Sequence, residues 1–133
     1  MAKKRMLSQD VVETDGFYNL TPTAQALYLH LNLNADDDGF VGRTMQIISS
    51  FDNGKNALQE LVSNGYLIEF DNPKAYLIRH WHVNNNKIQG DRYTPTMFQE
   101  HYKRLAWEEK PQVYLLIDDI KKLNSRREEK TLK

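Results

Sequence analysis

An α+β fold, mostly α, is predicted by three features of the sequence. Three helical stripes follow one another closely, two short β-prone runs are joined by four turn residues, and helical periodicity resumes after them. The chain has 133 residues, 40% hydrophobic and 11% aromatic, which suits one ordinary domain, or a smaller domain with a tail.

Thr21-Pro22 opens the first helix, with the threonine at the N-cap and the proline at the first helical position. Ala24, Leu27, Tyr28, Leu31 and Ala35 follow at spacings of three and four, one helical stripe. Asp36-Asp37-Asp38-Gly39 stops it, and Phe40-Val41 reads as a single strand-like rung. Thr44 caps a second short helix with Met45, Ile47, Ile48 and Phe51 as its apolar side. Asp52-Asn53-Gly54 is a turn. A third helix over 55–64 carries Ala57, Leu58, Leu61 and Val62 inward and ends at Asn64-Gly65, the glycine at C′.

Residues 66–70 and 75–81 are strand candidates, and Asp71-Asn72-Pro73-Lys74 between them reads as a hairpin tip. Beyond Trp81 the residues up to Gly90 are polar and asparagine-rich, the pattern of a loop or irregular arm. A helix is expected from Tyr93-Thr94-Pro95 through Met97, Phe98, Tyr102, Leu105 and Ala106, broken at Pro111. A last amphipathic helix is expected with Val113, Leu116, Ile117, Ile120 and Leu123 on one side and Lys121, Lys122, Arg126 and Arg127 near its end. This order is that of a winged helix-turn-helix with a C-terminal helical extension. Residues 1–81 form the winged-helix domain, and 82–133 form a polar arm and one or two helices.

Eighteen basic residues balance 18 acidic ones, so overall charge does not argue for nucleic acid or membrane. The distribution is uneven. Up to Phe70 there are 5 Lys/Arg against 9 Asp/Glu, and from Asp71 onward 13 against 9. A polyanion contact therefore favours the second half and the basic start, Lys3, Lys4 and Arg5, which equally reads as a solvated terminus. The absence of cysteine excludes a disulfide framework, a thiolate zinc site and a cysteine nucleophile. No apolar run approaches the roughly 18 residues of a membrane helix, and the basic start lacks the apolar stretch of a signal peptide. A cytoplasmic protein without membrane contact is expected.

The third helix invites comparison with a groove-reading helix. Lys55, Asn56, Gln59 and Ser63 are its outward polar residues; Asn and Gln pair with adenine, and Lys reaches guanine or phosphate. A solvated face is the alternative, and Glu60 makes the helix nearly neutral. Lys74 at the hairpin tip, Arg79 on the second strand and Lys87 and Arg92 on the arm, interleaved with Tyr76, Trp81 and Tyr93, suit phosphate contact and base stacking, although Tyr76 and Trp81 also read as core and the cations as ordinary surface. Arg43 is a further candidate contact.

Asp36, Asp37 and Asp38 do not make a calcium loop, because position 45 is Met where a glutamate is required. His80 and His82 would share a strand face, yet nothing gathers a third zinc ligand. No catalytic arrangement, metal site or cofactor is expected.

Three stretches resemble one family: Arg5-Met6-Leu7-Ser8, Ala24-Gln25-Ala26-Leu27-Tyr28-Leu29-His30-Leu31 and Ala35-Asp36-Asp37-Asp38-Gly39-Phe40-Val41. Together they resemble the N-terminal domain of phage replisome organisers, replication initiators related to DnaD-like primosome proteins. Ile78-Arg79-His80-Trp81, Asn86-Lys87-Ile88 and Asp91-Arg92-Tyr93-Thr94-Pro95-Thr96 look like that family's downstream segment. The resemblance implies a winged helix that binds double-stranded origin DNA and helps recruit the replicative helicase or its loader. Two other functions fit the same residues. One is a protein–protein or self-association module, a homo-oligomer in which residues 113–123 form a helix seam between protomers. The other is a small transcriptional regulator.

Overall fold

The chain opens with two one-turn helices in a computed structural model that describes residues 4–85, 93–108 and 113–117. α1 (Gln9–Val12) starts where the Ser8 hydroxyl accepts from the Asp10 amide, and α2 (Asp15–Tyr18) where the Thr14 hydroxyl accepts from Phe17. Four residues are too few to show a helical period, so capping rather than hydrophobic spacing marks them.

α3 (Pro22–Leu33) begins as expected, with Thr21 Oγ1 accepting from the Ala24 amide and proline at its first position. Ala24, Leu27, Tyr28, Leu31 and Ala35 are all fully buried. β1 (Phe40–Val41) precedes α4 (Thr44–Ile48) and α5 (Gly54–Ser63). Thr44 does not cap α4. Arg43 holds the N-cap position without a side-chain bond, and the buried Thr44 hydroxyl donates to Val41 O at 3.3 Å. A hydroxyl removed from water must find a local acceptor, and the rung just left behind supplies it.

β2 (Leu67–Phe70) and β3 (Ala75–Ile78) pair antiparallel, Leu67 opposite Ile78 and Phe70 opposite Ala75. β1 joins the other edge of β3, Phe40 opposite Leu77, giving the order β1-β3-β2. All four β3 residues are buried, which requires cover on both faces of this central strand. Helices provide one cover. Downstream residues provide the other: Phe98 stacks on Phe40 with ring centres 5.7 Å apart, and His101 on Phe70 at 4.5 Å.

After the hairpin the structure departs from expectation. The second strand ends at Ile78, and Trp81 opens a short helix, α6 (Trp81–Asn84), so His80 and His82 do not share a strand face. Asn84 and Asn85 are buried rather than part of a polar arm. Asn84 accepts from the Ser8 amide and donates to the Tyr28 hydroxyl, and Asn85 accepts from the Met6 amide.

The C-terminal helices are also corrected. A single turn, α7 (Gln99–Tyr102), leads into β4 (Leu105–Glu108), which pairs antiparallel with β5 (Val113–Leu116). A Val-Tyr-Leu-Leu run suits a strand as well as a helix, and short apolar runs are not separated by period alone. Tertiary pairing decides. The Tyr114 amide donates to Arg79 O at 3.1 Å, and Arg79 Nε donates back to Tyr114 O at 3.3 Å. The expected seam over 113–123 thus begins as a strand; Ile120, Leu123 and the basic residues after them lie outside the described residues. Among the described residues no helix is long and apolar enough to cross a membrane.

His80 gives the fold a pH dependence. Burial, reinforced by the Arg79 charge, pulls its imidazole down to about 4. Its Nδ1 is buried with no hydrogen-bond partner among the described residues. The unfolded chain takes up a proton near pH 6.5 that the folded one refuses until about 4. Stability from this group is complete above about pH 6.5 and drains away as pH falls toward 4, by roughly 1–3 kcal/mol after allowance for partial solvent access. Thermal unfolding compared at about pH 7 and about pH 5 should show the loss, and His80→Gln should shrink it. An unchanged difference in that variant would assign the acid sensitivity elsewhere.

Candidate functional site

α4 and α5 present the surface on which most of the candidate contacts fall. Lys55, Asn56, Gln59 and Ser63 are all exposed on α5, and Arg43 is exposed where α4 begins. The acid that made α5 look neutral is engaged by the start of α3. Glu60 accepts from the Thr21 amide and hydroxyl, both at 2.8 Å, and so closes the N-terminus of α3. The helix start that needs an anion receives one, and Lys55 is the one exposed charged residue of α5.

The two helices approach closely at their turn. Asn53 is left-handed, with φ 59°, and a Cβ on Gly54 would lie 2.2 Å from the Ile48 carbonyl oxygen. This packing leaves an open notch of about 390 Å³ lined by Met45, Ile48, Phe51, Asn53, Lys55 and Asn56, with Ser49 and Gly54 completing it. Gln59 Nε2 donates to Ser63 Oγ at 3.4 Å one turn further along. Lys55, Asn56, Gln59 and Ser63 are thereby gathered on one helix.

Lys74 belongs elsewhere. At the hairpin tip it contacts Asp71 at 3.1 Å and Glu69 at 3.3 Å and lies over the Tyr76 ring, 5.5 Å from its centre. Those carboxylates hold its ammonium above the usual lysine range. Two acids around one cation make the tip a poor clamp for phosphate. Lys87 and Arg92 lie outside the described residues. Tyr76 and Trp81 are core, and Arg5 is neither a solvated start nor a polyanion contact. Its guanidinium bonds Ala35 O at 2.8 Å and Asp37 at 3.1 Å and covers the Trp81 ring at 5.1 Å.

A second constellation went unrecognised in the sequence. The acidic turn 36–39 is a hydrogen-bond hub. Asp36 Oδ1 accepts from the Asp38 and Phe40 amides, and its Oδ2 from the Thr96 hydroxyl at 2.5 Å. Asp37 accepts from the Thr94 amide and, through its carbonyl, from the Trp81 indole. Asp38 accepts from the Tyr93 hydroxyl and the Thr96 amide, and its carbonyl from the Tyr114 hydroxyl. Burial raises the Asp36 carboxyl above the ordinary carboxylate range, opposed by the bonds from Thr96 and the Phe40 and Asp38 amides. It also lifts the Tyr93 hydroxyl, which the Asp38 carboxylate lifts further. Among the described residues no group of three or more His, Cys, Asp or Glu is placed to hold a metal.

Adjacent acids followed by glycine announce only a turn in sequence; their distant donors lie 32 to 76 residues away. Arg5, the acidic turn, Trp81 and residues 93–96 come from four of the stretches that carry the family resemblance, and they meet here. No protein-family model, no curated protein and no solved structure matches the chain.

Proposed function

We infer that the chain is a winged-helix module that binds double-stranded DNA through α5, in a phage or prophage replication initiator. The observation that carries this is the engagement of Glu60 by the start of α3, which leaves Lys55, Asn56, Gln59 and Ser63 as the exposed polar residues of α5, with Lys55 and Asn56 lining the notch. α4 and α5 stand as the two helices of a helix-turn-helix, whose second member lies in the major groove. The β2–β3 hairpin takes the place of the wing, with its cation committed to its own acids. Origin binding and recruitment of a helicase or its loader rest on the family resemblance, and the meeting of four of its stretches around one turn supports treating them as one unit.

Fluorescence anisotropy with labelled duplexes over rising salt tests this. Affinity should fall steeply between about 50 and 200 mM, because phosphate contacts release counterions. Lys55→Glu should weaken binding roughly tenfold or more and reduce the salt slope by about 1. Unchanged affinity at low salt in that variant would remove α5 from the interface.

A second reading, a self-association module, is favoured by one observation. Leu29 and Leu33 are exposed one turn apart on α3, Leu33 at 54%, and Met6 and Leu7 are exposed as well. Sedimentation of the full chain distinguishes the two. A concentration-dependent mass abolished by Leu33→Glu, with no duplex binding, would favour association.

A further inference from the structure

The outward face of α5 carries base-specific chemistry as well as charge, an inference that rests on the duplex-binding reading of that helix. Two carboxamides, Asn56 and Gln59, stand exposed three residues apart. Helical rise separates them by about 4.5 Å along the axis, against about 3.4 Å between stacked bases. A helix lying in the major groove therefore brings them to neighbouring base pairs. Each carboxamide offers a donor and an acceptor in one plane, which matches the N6 donor and N7 acceptor of adenine. Guanine presents two acceptors and is read by arginine or lysine. α5 has no arginine, and its one cation, Lys55 at its second position, is the phosphate contact of the duplex-binding reading.

A third group points the same way. Met45 is 58% exposed and lines the notch together with Asn56. Ile48 and Phe51 line the same notch and make its surface apolar, which water solvates poorly. Thymine is the one base that puts a methyl group into the major groove. A thioether beside an adenine-reading amide finds that methyl on the same or the adjoining base pair. The hydrogen bond from Gln59 to Ser63 holds one amide proton along the helix and leaves the second proton and the oxygen for the base.

The geometry points to an A·T-containing step as the sequence element recognised by this surface, with Asn56 and Gln59 on adenine and Met45 on the thymine methyl. G·C pairs are disfavoured there because carboxamide donors and acceptors meet the wrong pattern.

The test is selection of the full chain on a pool of duplexes with a random core, followed by anisotropy on the enriched duplex. Enrichment of A·T steps is expected. Replacing the core adenines by 7-deazaadenine, which deletes the N7 acceptor and keeps the N6 donor, should weaken binding roughly 2- to 12-fold for each carboxamide contact, the worth of one hydrogen bond. Replacing thymine by uracil should weaken it a few-fold, about one buried methyl. Gln59→Ala and Asn56→Ala should each lose part of the sensitivity to 7-deazaadenine and together all of it, and Met45→Ala the sensitivity to uracil, each with an unchanged melting temperature and salt slope. Salt-dependent binding without enrichment, or enrichment of G·C, would overturn the A·T assignment and leave duplex binding standing. No binding to any duplex at about 50 mM salt would overturn both.

Discussion

Trp81→Ala is expected to remove roughly 3–5 kcal/mol of folding stability, the range for a fully buried large aromatic. The indole is 1% exposed, and its loss leaves more than a void. The Asp37 carbonyl loses the Nε1 donor at 3.0 Å, and the Arg5 guanidinium loses the ring beneath it. Gly39 shows how tightly the ring is seated: it has φ +95°, and a Cβ there would lie 2.7 Å from Trp81 Cγ. Small domains hold about 5–15 kcal/mol in all, so the variant should unfold at far lower urea than the parent. A midpoint shift equivalent to less than about 1 kcal/mol would place the indole outside the core.

Gly54→Ala is expected to destabilise by about 3 kcal/mol, against the usual direction of such a change. Alanine normally gains up to about 1 kcal/mol over glycine in a helix. Here the new methyl carbon would sit 2.2 Å from the Ile48 carbonyl oxygen, a backbone atom that cannot swing aside. Overpacking of this kind costs about 1–3 kcal/mol or more and exceeds the propensity gain. The only relief is to move α4 away from α5, so the surface holding Met45, Lys55 and Asn56 should distort with it. Duplex affinity is expected to fall even under conditions where the variant remains folded. Urea unfolding alongside anisotropy checks both effects, and a stabilised variant would show that the two helices have room to spare.

The helical half was legible because its signals are local. Thr21-Pro22, the buried stripe of α3 and Gly65 after α5 each act through neighbours a few residues away. The β2–β3 pairing was legible for the same reason, its turn residues lying between its strands. The second half was not, because distant partners decide it. Residues 113–116 carry a helical stripe that Arg79 and residues 105–108 turn into a strand. Asn84 and Asn85 look like loop until Tyr28, Ser8 and Met6 are seen around them. On the candidate surface, the outward residues of α5 followed from helical spacing. The engagement of Glu60 by the start of α3 depended on a residue 39 positions earlier and had no local sign.

The pinning of the N-terminal segment has a consequence for synthesis. The amides of Met6 and Ser8 find their acceptors 79 and 76 residues downstream. Chains leave the ribosome N-terminus first, and contacts between distant positions must wait for the later partner. The three central helices can assemble on the nascent polypeptide while the acidic turn is still bare and the indole that roofs it is not yet made. The domain therefore closes late, when Tyr114 emerges to bind the Asp38 carbonyl, and β5, the last of the described strands, acts as the latch.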